Sequence, residues 1–288
     1  MLLKSINYWS YPGGLAGTLP IEEFLISAKK YGYDAVELCI GETGELSLST
    51  TLERCAEIRS AAEKLNLPIA STASGTYWSS SLGDFDSGSR AKAVESLRRM
   101  IVITQSLGAR TLLTIPGAVD VFFSPSRPVL PYDFVLEFAR KGLELVLPEA
   151  EKHNVILGLE NVWNKFLLSP TEMAGFIDSF HSQAIGAYVD VANILPYGYP
   201  EHWLRILGSR VAGIHFKDFR RAVGTVEGFV DLLEGDVDWP EVVAAIDAIG
   251  YAGPVVAEMI PLYKHYPEVR IENTSRAMDA ILNREPKI

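Results

Sequence analysis

Short apolar segments rich in β-branched residues alternate along the chain with longer segments of helical periodicity. The apolar segments predict eight strands, over residues 3–8, 35–38, 68–71, 110–115, 155–160, 185–190, 211–215 and 254–258. Helical patterns follow them, over residues 20–32, 50–65, 91–107, 132–152, 170–180, 200–207, 239–249 and 268–282. Polar loops are predicted over residues 74–89 and 217–238, and Pro148 is a predicted interruption of the fourth helix.

Strand and helix alternating in this way predict a parallel sheet with helices packed on it. Eight repeats predict an α/β fold that closes as a (β/α)₈ TIM barrel, in a single domain over residues 1–288. A doubly wound open sheet is the alternative, because glycines occur in the turn at residues 11–17 after the first strand. No acidic residue follows the second strand at the distance that a dinucleotide site requires, which disfavours this alternative.

Composition indicates an ordinary globular protein. Hydrophobic residues make up 48% of the chain and charged residues 22%, which excludes intrinsic disorder. The formal net charge of -10 argues against a nucleic-acid partner. Cys39 and Cys55 are the only cysteines and indicate buried thiols in a reducing compartment. Without a signal-peptide pattern or a long apolar run, we expect a cytoplasmic protein that does not span a membrane.

Potential metal ligands end the last four predicted strands. They are Glu160, Asp190, His215 and Glu258. In a parallel barrel the carboxyl ends of the strands carry the active site, so these side chains are expected to meet. Three carboxylates and one imidazole suit a hard divalent ion. We predict one divalent metal ion per chain, with Mn²⁺ expected and Mg²⁺, Co²⁺ or Zn²⁺ as alternatives. Taken singly, each carboxylate has a helix cap or a loop ion pair as its alternative role, and His215 has a structural role as its alternative.

Four sequence motifs resemble those of the sugar-phosphate isomerase/epimerase superfamily, which has the xylose isomerase-like barrel fold. They are residues 158–161, 188–193, 213–218 and 234–239. The most similar branch comprises the ketose and ketose-phosphate 3-epimerases, including the L-xylulose-5-phosphate and L-ribulose-5-phosphate enzymes. Residues 160–170 most resemble the phosphate-sugar members. The resemblance implies that Glu160, Asp190, His215 and Glu258 bind the metal and that the two glutamates form the acid/base pair.

The chemistry of C3 inversion agrees with these roles. A proton must leave one face of a 2-ketose and return to the other, through an enediolate. A metal on the C2 and C3 oxygens acts as a Lewis acid, and carboxylates such as Glu160 and Glu258 can serve as base and acid.

Departures from the family motifs bear on the substrate. Asn193 stands where free-ketose epimerases carry a histidine, and the glutamate that they use for hydroxyl binding is absent beside Lys165. Arg221 matches their substrate-binding arginine. Lys165, Lys217 and Arg221 are expected near the barrel mouth, where basic groups favour an anionic substrate. We therefore predict a pentulose or hexulose phosphate, bound in part by Lys165 and Arg221, with a free ketose as the alternative.

Four further residues are candidate substrate contacts, and Asn193, which stands in the place of that histidine, is one of them. Tyr8 and Trp163 are expected either to form a wall beside the sugar or to pack over the barrel rim. Glu37 ends the second strand and is expected either to bind hydroxyls or to form a buried ion pair.

Other functions share this pattern. An aldose–ketose isomerase, a hydroxypyruvate isomerase and an inosose dehydratase-like lyase are the enzymatic alternatives. An endonuclease IV-like repair enzyme would need more histidines, and the chain has only 5. A non-catalytic sugar-binding barrel is disfavoured by the intact Glu160 and Glu258. A small sugar is the expected partner, and a homo-oligomer, either a dimer or a tetramer, is compatible with the sequence.

Overall fold

A computed structural model describes residues 2–285. Eight of its strands are parallel and form a closed barrel, in the order β1-β10-β7-β6-β5-β4-β3-β2. The barrel strands are β1 (Leu3–Asn7), β2 (Ala35–Ile40), β3 (Ile69–Ser74), β4 (Thr111–Thr114), β5 (Ile156–Glu160), β6 (Ile185–Asp190), β7 (Val211–Phe216) and β10 (Pro254–Ala257). The predicted barrel fold is confirmed, and each of its strands overlaps a predicted one.

Helices connect the strands and pack around the barrel. They are α1 (Ile21–Lys30), α2 (Leu52–Lys64), α3 (Ser87–Ser106), α4 (Tyr132–His153), α5 (Pro170–Asp178), α6 (Val191–Ile194), α7 (Pro200–Leu207), α8 (Trp239–Ala248) and α9 (Pro267–Ile281). Side-chain oxygens satisfy free N–H groups at the start of several helices. The capping residues include Thr51, Asp86, Ser169 and Asp238. Within residues 2–285, no helix combines the length and the apolarity needed to cross a membrane.

The structure differs from the predicted elements in several places, one of which is the short helix α6, which was not predicted. Helix α3 begins four residues earlier than predicted, because the side chain of Asp86 accepts a hydrogen bond from the backbone N–H of Ser89 at 2.7 Å. Pro148 does not interrupt α4, whose buried face continues on both sides of it. The loop predicted over residues 217–238 contains a short antiparallel pair, β8 (Asp218–Phe219) and β9 (Phe229–Val230).

A single tyrosine fills much of the barrel interior below the strand ends. Tyr188 is fully buried, and a Cβ added to Gly213 would lie 2.5 Å from its ring. A Cβ added to Gly158 would lie 3.0 Å from the same ring. The two glycines therefore make room for the tyrosine. Its ring packs edge-on against His215 at a centroid distance of 4.7 Å, and so supports one of the predicted metal ligands from below.

Candidate active site

The four predicted metal ligands converge at the carboxyl ends of the strands. Each offers one ligand atom, and these atoms all lie within 4.8 Å of one another. Nδ1 of His215 lies 3.6 Å from a carboxylate oxygen of Glu160. The same nitrogen lies 3.9 Å from oxygens of Asp190 and Glu258. All four side chains are buried. The barrel thus brings together residues that are spread over almost one hundred positions of the sequence.

Two buried ligand atoms in this cluster lack a hydrogen bond, which fits a metal site. Oδ1 of Asp190 accepts hydrogen bonds from the backbone N–H groups of Ala192 and Asn193, both at 3.0 Å. Oδ2 of Asp190 has no hydrogen bond of good geometry, although Nζ of Lys217 lies 2.9 Å away as an ion-pair partner. Nδ1 of His215 has no hydrogen-bond partner either. Unsatisfied buried polar atoms are costly, and a bound cation would satisfy both.

Glu37 fixes the orientation of His215 from below. It is fully buried, and its Oε1 accepts hydrogen bonds from Nε2 of His215 at 2.8 Å and from Asn7 at 2.6 Å. Its Oε2 accepts hydrogen bonds from the hydroxyls of Ser71 and Tyr188, both at 2.6 Å. With the proton on Nε2, the lone pair of Nδ1 faces the cluster. Of the two predicted roles of Glu37, the structure shows the buried ion pair, because its oxygens have no surface left for a sugar hydroxyl.

We expect Glu37→Gln to weaken metal binding by about 10- to 100-fold, the usual effect of losing the partner of a ligating histidine. The amide would replace one carboxylate oxygen, which accepts from two protein groups, by an NH₂ group that can only donate. Titration calorimetry with Mn²⁺ measures the change, and Tyr188→Phe serves as the control because it removes only one donor. Unchanged Mn²⁺ affinity in folded Glu37→Gln protein would refute the orienting role.

The electrostatics of the cluster favour a positive charge. Burial raises the pKa of Glu160 to about 7, and the nearby Glu258 carboxylate adds to the rise. Burial alone would lower the pKa of His215, but the carboxylates of Glu37 and Glu258 raise it well above its ordinary value. Burial also opposes the charge of Lys217, yet Asp190 and Glu258 raise its pKa. The carboxylates thus stabilise the positive charges of His215 and Lys217, and they would stabilise a metal cation in the same way.

A cavity of about 810 Å³ lies over the cluster and is lined by loops that follow the strands. Four predicted substrate contacts line this cavity: Tyr8, Trp163, Asn193 and Lys217. Trp163 packs at the barrel rim, where its ring lines the cavity and its indole N–H donates to the backbone oxygen of Asn193 at 2.9 Å. The hydroxyl of Tyr8 donates to the backbone oxygen of Leu19, so its ring rather than its hydroxyl is available as a wall.

The structure does not bring the two predicted phosphate contacts into this cavity. Neither Lys165 nor Arg221 lines it. The side chain of Lys165 is 67% exposed and forms an ion pair with Asp120 at 2.6 Å. The guanidinium of Arg221 lies over the ring of Tyr199, 4.8 Å from its centroid. Each loop turns its basic side chain towards another partner, so the phosphate contacts of Lys165 and Arg221 stay a prediction that these positions do not support.

Several cavity residues were missed by the sequence reasoning. They include Trp78, Phe122, Phe123 and Phe229. These rings lie in loops after three different strands, where no periodicity shows which way a side chain points. The only signal in the sequence is the concentration of aromatic residues in loops that follow strands.

Comparison with known proteins places the chain in a family. L-ribulose-5-phosphate 3-epimerase UlaE of Salmonella paratyphi C is 25% identical over 263 residues, which cover 90% of this chain and 89% of that protein. A solved structure of L-ribulose 3-epimerase covers 98% of this chain and 95% of its own, with a TM-score of 0.78 and 17% identity. A structure of the IOLI protein with a binding zinc atom covers 98% of both chains, with a TM-score of 0.78 and 15% identity.

The two structural matches show the same fold, and the sequence relative is by name an isomerase. A family model described as the xylose isomerase-like TIM barrel matches residues 25–280. That range takes in all four residues of the candidate metal site. The chain therefore belongs to the xylose isomerase-like TIM barrel family.

Proposed function

We propose that this protein is a divalent-metal-dependent isomerase that inverts C3 of a 2-ketose. The observation that carries the proposal is the placement of two glutamates on one candidate cation site at the base of a cavity. Glu160 ends β5 and Glu258 follows β10, and β6 and β7 separate these strands in the barrel. The carboxylates therefore approach the site from different sides, as a base and an acid on opposite faces of C3 would.

The side chains of the cluster would have distinct roles in this reaction. Glu160, Asp190, His215 and Glu258 would hold the cation, which supplies Lewis-acid stabilisation of the charge that develops on the substrate oxygens. One glutamate removes the C3 proton and the other returns a proton to the opposite face.

The identity of the metal ion, the substrate contacts and the cellular location are also proposals. Mn²⁺ is the ion that we propose, because the cluster has three oxygen donors for each nitrogen donor. Asn193, Lys217, Tyr8 and Trp163 are the proposed substrate contacts, since all four line the cavity. A cytoplasmic location is supported by two free and buried cysteines. The dimer or tetramer stays a prediction.

Sequence similarity favours a phosphorylated ketose, since the relative UlaE is named for a 5-phosphate. Lys165 and Arg221 give this choice no support, because both lie away from the cavity. The proposal therefore concerns the reaction at C3 and holds for a phosphorylated or a free ketose.

The experiment that tests it is turnover in deuterium oxide with Mn²⁺ and pairs of C3-epimeric pentuloses and hexuloses, each with and without a terminal phosphate. We expect the C3 epimer to form and deuterium to appear at C3, because the proton passes through exchangeable carboxyl groups. Nuclear magnetic resonance measures both. Deuterium at C1 instead of C3 would indicate an aldose–ketose isomerase and would overturn the proposal.

A further inference from the structure

A continuous wall of aromatic rings rises beside the catalytic cluster. It consists of Trp78, Phe123, Phe122, Trp163 and Phe229, and all five side chains line the cavity. Successive ring centroids along this series are 5.1, 5.1, 6.1 and 5.2 Å apart. The rings come from loops that follow β3, β4, β5 and β7. The aromatic wall ends at the cluster, because Nζ of Lys217 lies 5.7 Å from the ring of Phe229.

The middle of the aromatic wall is exposed. Phe122 is 52% exposed and Phe123 is 53% exposed, although both rings face a concave site. A contiguous exposed apolar patch of this kind usually marks a surface that binds another molecule. Because the wall is continuous with the catalytic cluster, the molecule that reacts at the cluster is also the one that can cover the rings.

Charges around the cavity disfavour a phosphate at this position. Among the described residues that line the cavity, Lys217 is the only one with a cationic side chain. It forms ion pairs with Asp190 and Glu258. The acidic residues Glu42 and Glu227 line the same cavity. A phosphate dianion is normally bound by arginine or lysine side chains with free donors, and here it would meet carboxylates.

The volume of the cavity favours a substrate larger than a simple ketose. Its volume of about 810 Å³ is near the upper end of the range for pockets that enclose drug-sized ligands. A pentulose or hexulose has only about ten to twelve non-hydrogen atoms, so it would fill a small part of such a pocket.

We infer that the substrate is a ketose whose end remote from C2 and C3 carries an uncharged aromatic or other apolar group, and that the aromatic wall binds this group. The inference deepens the proposed function and rests on it for the position of the reacting carbon. The aromatic wall would fix the remote end, and the binding energy gained there would orient C3 over the two glutamates.

The test compares three forms of the same hexulose: the free sugar, its 6-phosphate and its 6-O-benzyl ether. With Mn²⁺ bound, we expect kcat/KM for the benzyl ether to exceed that for the other two by about tenfold or more. A benzyl ring that packs against aromatic side chains buries its apolar surface and forms ring–ring contacts. The free energy gained from these two effects is enough for a tenfold higher kcat/KM. A higher kcat/KM for the 6-phosphate would overturn the inference and leave the C3 chemistry standing.

A double variant, Phe122→Ala with Phe123→Ala, assigns the preference to the aromatic wall. We expect it to lower kcat/KM for the benzyl ether about tenfold more than for the free sugar. Phe85→Ala is the matched control, because Phe85 is 68% exposed and does not line the cavity. Equal losses for the two sugars would overturn the inference. An oligomer that dissociates in the double variant would also overturn it, because a second copy of the chain would then cover the rings.

Binding of the benzyl ether and the free sugar, measured by calorimetry, separates this inference from the proposed function. One outcome is that neither sugar exchanges its C3 proton, while the benzyl ether binds more tightly than the free sugar and loses this advantage in the double variant. The proposed C3 chemistry would then be refuted, and the apolar subsite would be supported. If both sugars bind equally, the subsite is refuted whatever the chemistry.

Discussion

Glu160→Gln and Glu258→Gln should each lower kcat by about 10²- to 10⁴-fold, the usual contribution of a group that transfers a proton in the transition state. Glutamine keeps a side-chain oxygen that can face the cation but has no proton to exchange near neutral pH. Glu160 ends β5 and Glu258 follows β10 on another side of the site, so neither can replace the other. Initial rates at saturating Mn²⁺, with the bound metal quantified in each variant, provide the measurement.

The matched control for both variants is Glu63→Gln. Glu63 lies on α2 with its side chain 62% exposed, where it forms only a surface ion pair with Arg59. It should leave kcat unchanged, because exposed ion pairs contribute little. A variant of Glu160 or Glu258 that keeps its metal and turns over at the wild-type rate would show that its acid/base role is misassigned.

Removing the divalent ion should abolish activity, and adding Mn²⁺ should restore it. Without a cation, the carboxylates of Glu160, Asp190 and Glu258 must rely on Lys217 and a protonated His215 for compensation. The charge that develops on the substrate oxygens would then lose its main stabilising partner. Activity before and after dialysis against a chelator measures the effect.

The same ion should also raise the midpoint of thermal unfolding. Binding to the folded chain alone stabilises it by mass action, by about 2.7 kcal/mol when the free ion is at 100 times its Kd. Asp190→Asn should lose most of this shift. The control is Asp178→Asn, a surface partner of Arg210 outside the cluster, which should keep the shift. A midpoint that Mn²⁺ leaves unchanged would contradict this prediction, and full activity in demonstrably metal-free protein would contradict the loss of activity expected on chelation.

The alternation of strand and helix patterns was enough to predict the barrel and the position of its site. Parallel strands in a closed barrel direct their carboxyl ends to one rim, so a polar residue at each of four strand ends implies a cluster. The structure brings Glu160, Asp190, His215 and Glu258 together in this way. Local signals sufficed because backbone periodicity and strand direction do not depend on how the loops fold.

The role of Glu37 was only half determined by the sequence. Its place near the end of the predicted strand 35–38 allowed either a buried or a substrate-facing carboxylate, whereas the structure extends β2 to Ile40 and so puts Glu37 inside the barrel. The tertiary structure decided between them, because His215, Ser71 and Tyr188 come from three other strands and all donate to it. Such a set of contacts is fixed by barrel closure and by no local pattern.

The sequence by itself determined the fold and the four strand-end residues that form the candidate cation site of this protein. Only the tertiary structure decided what surrounds them. Lys165 and Arg221 point to Asp120 and Tyr199 instead of the cavity, and aromatic rings from loops after four strands form the wall in their place. The physical reason is that a strand's pleat fixes the direction of its side chains, whereas a loop's side chains take the direction that packing and ion pairing with distant residues impose.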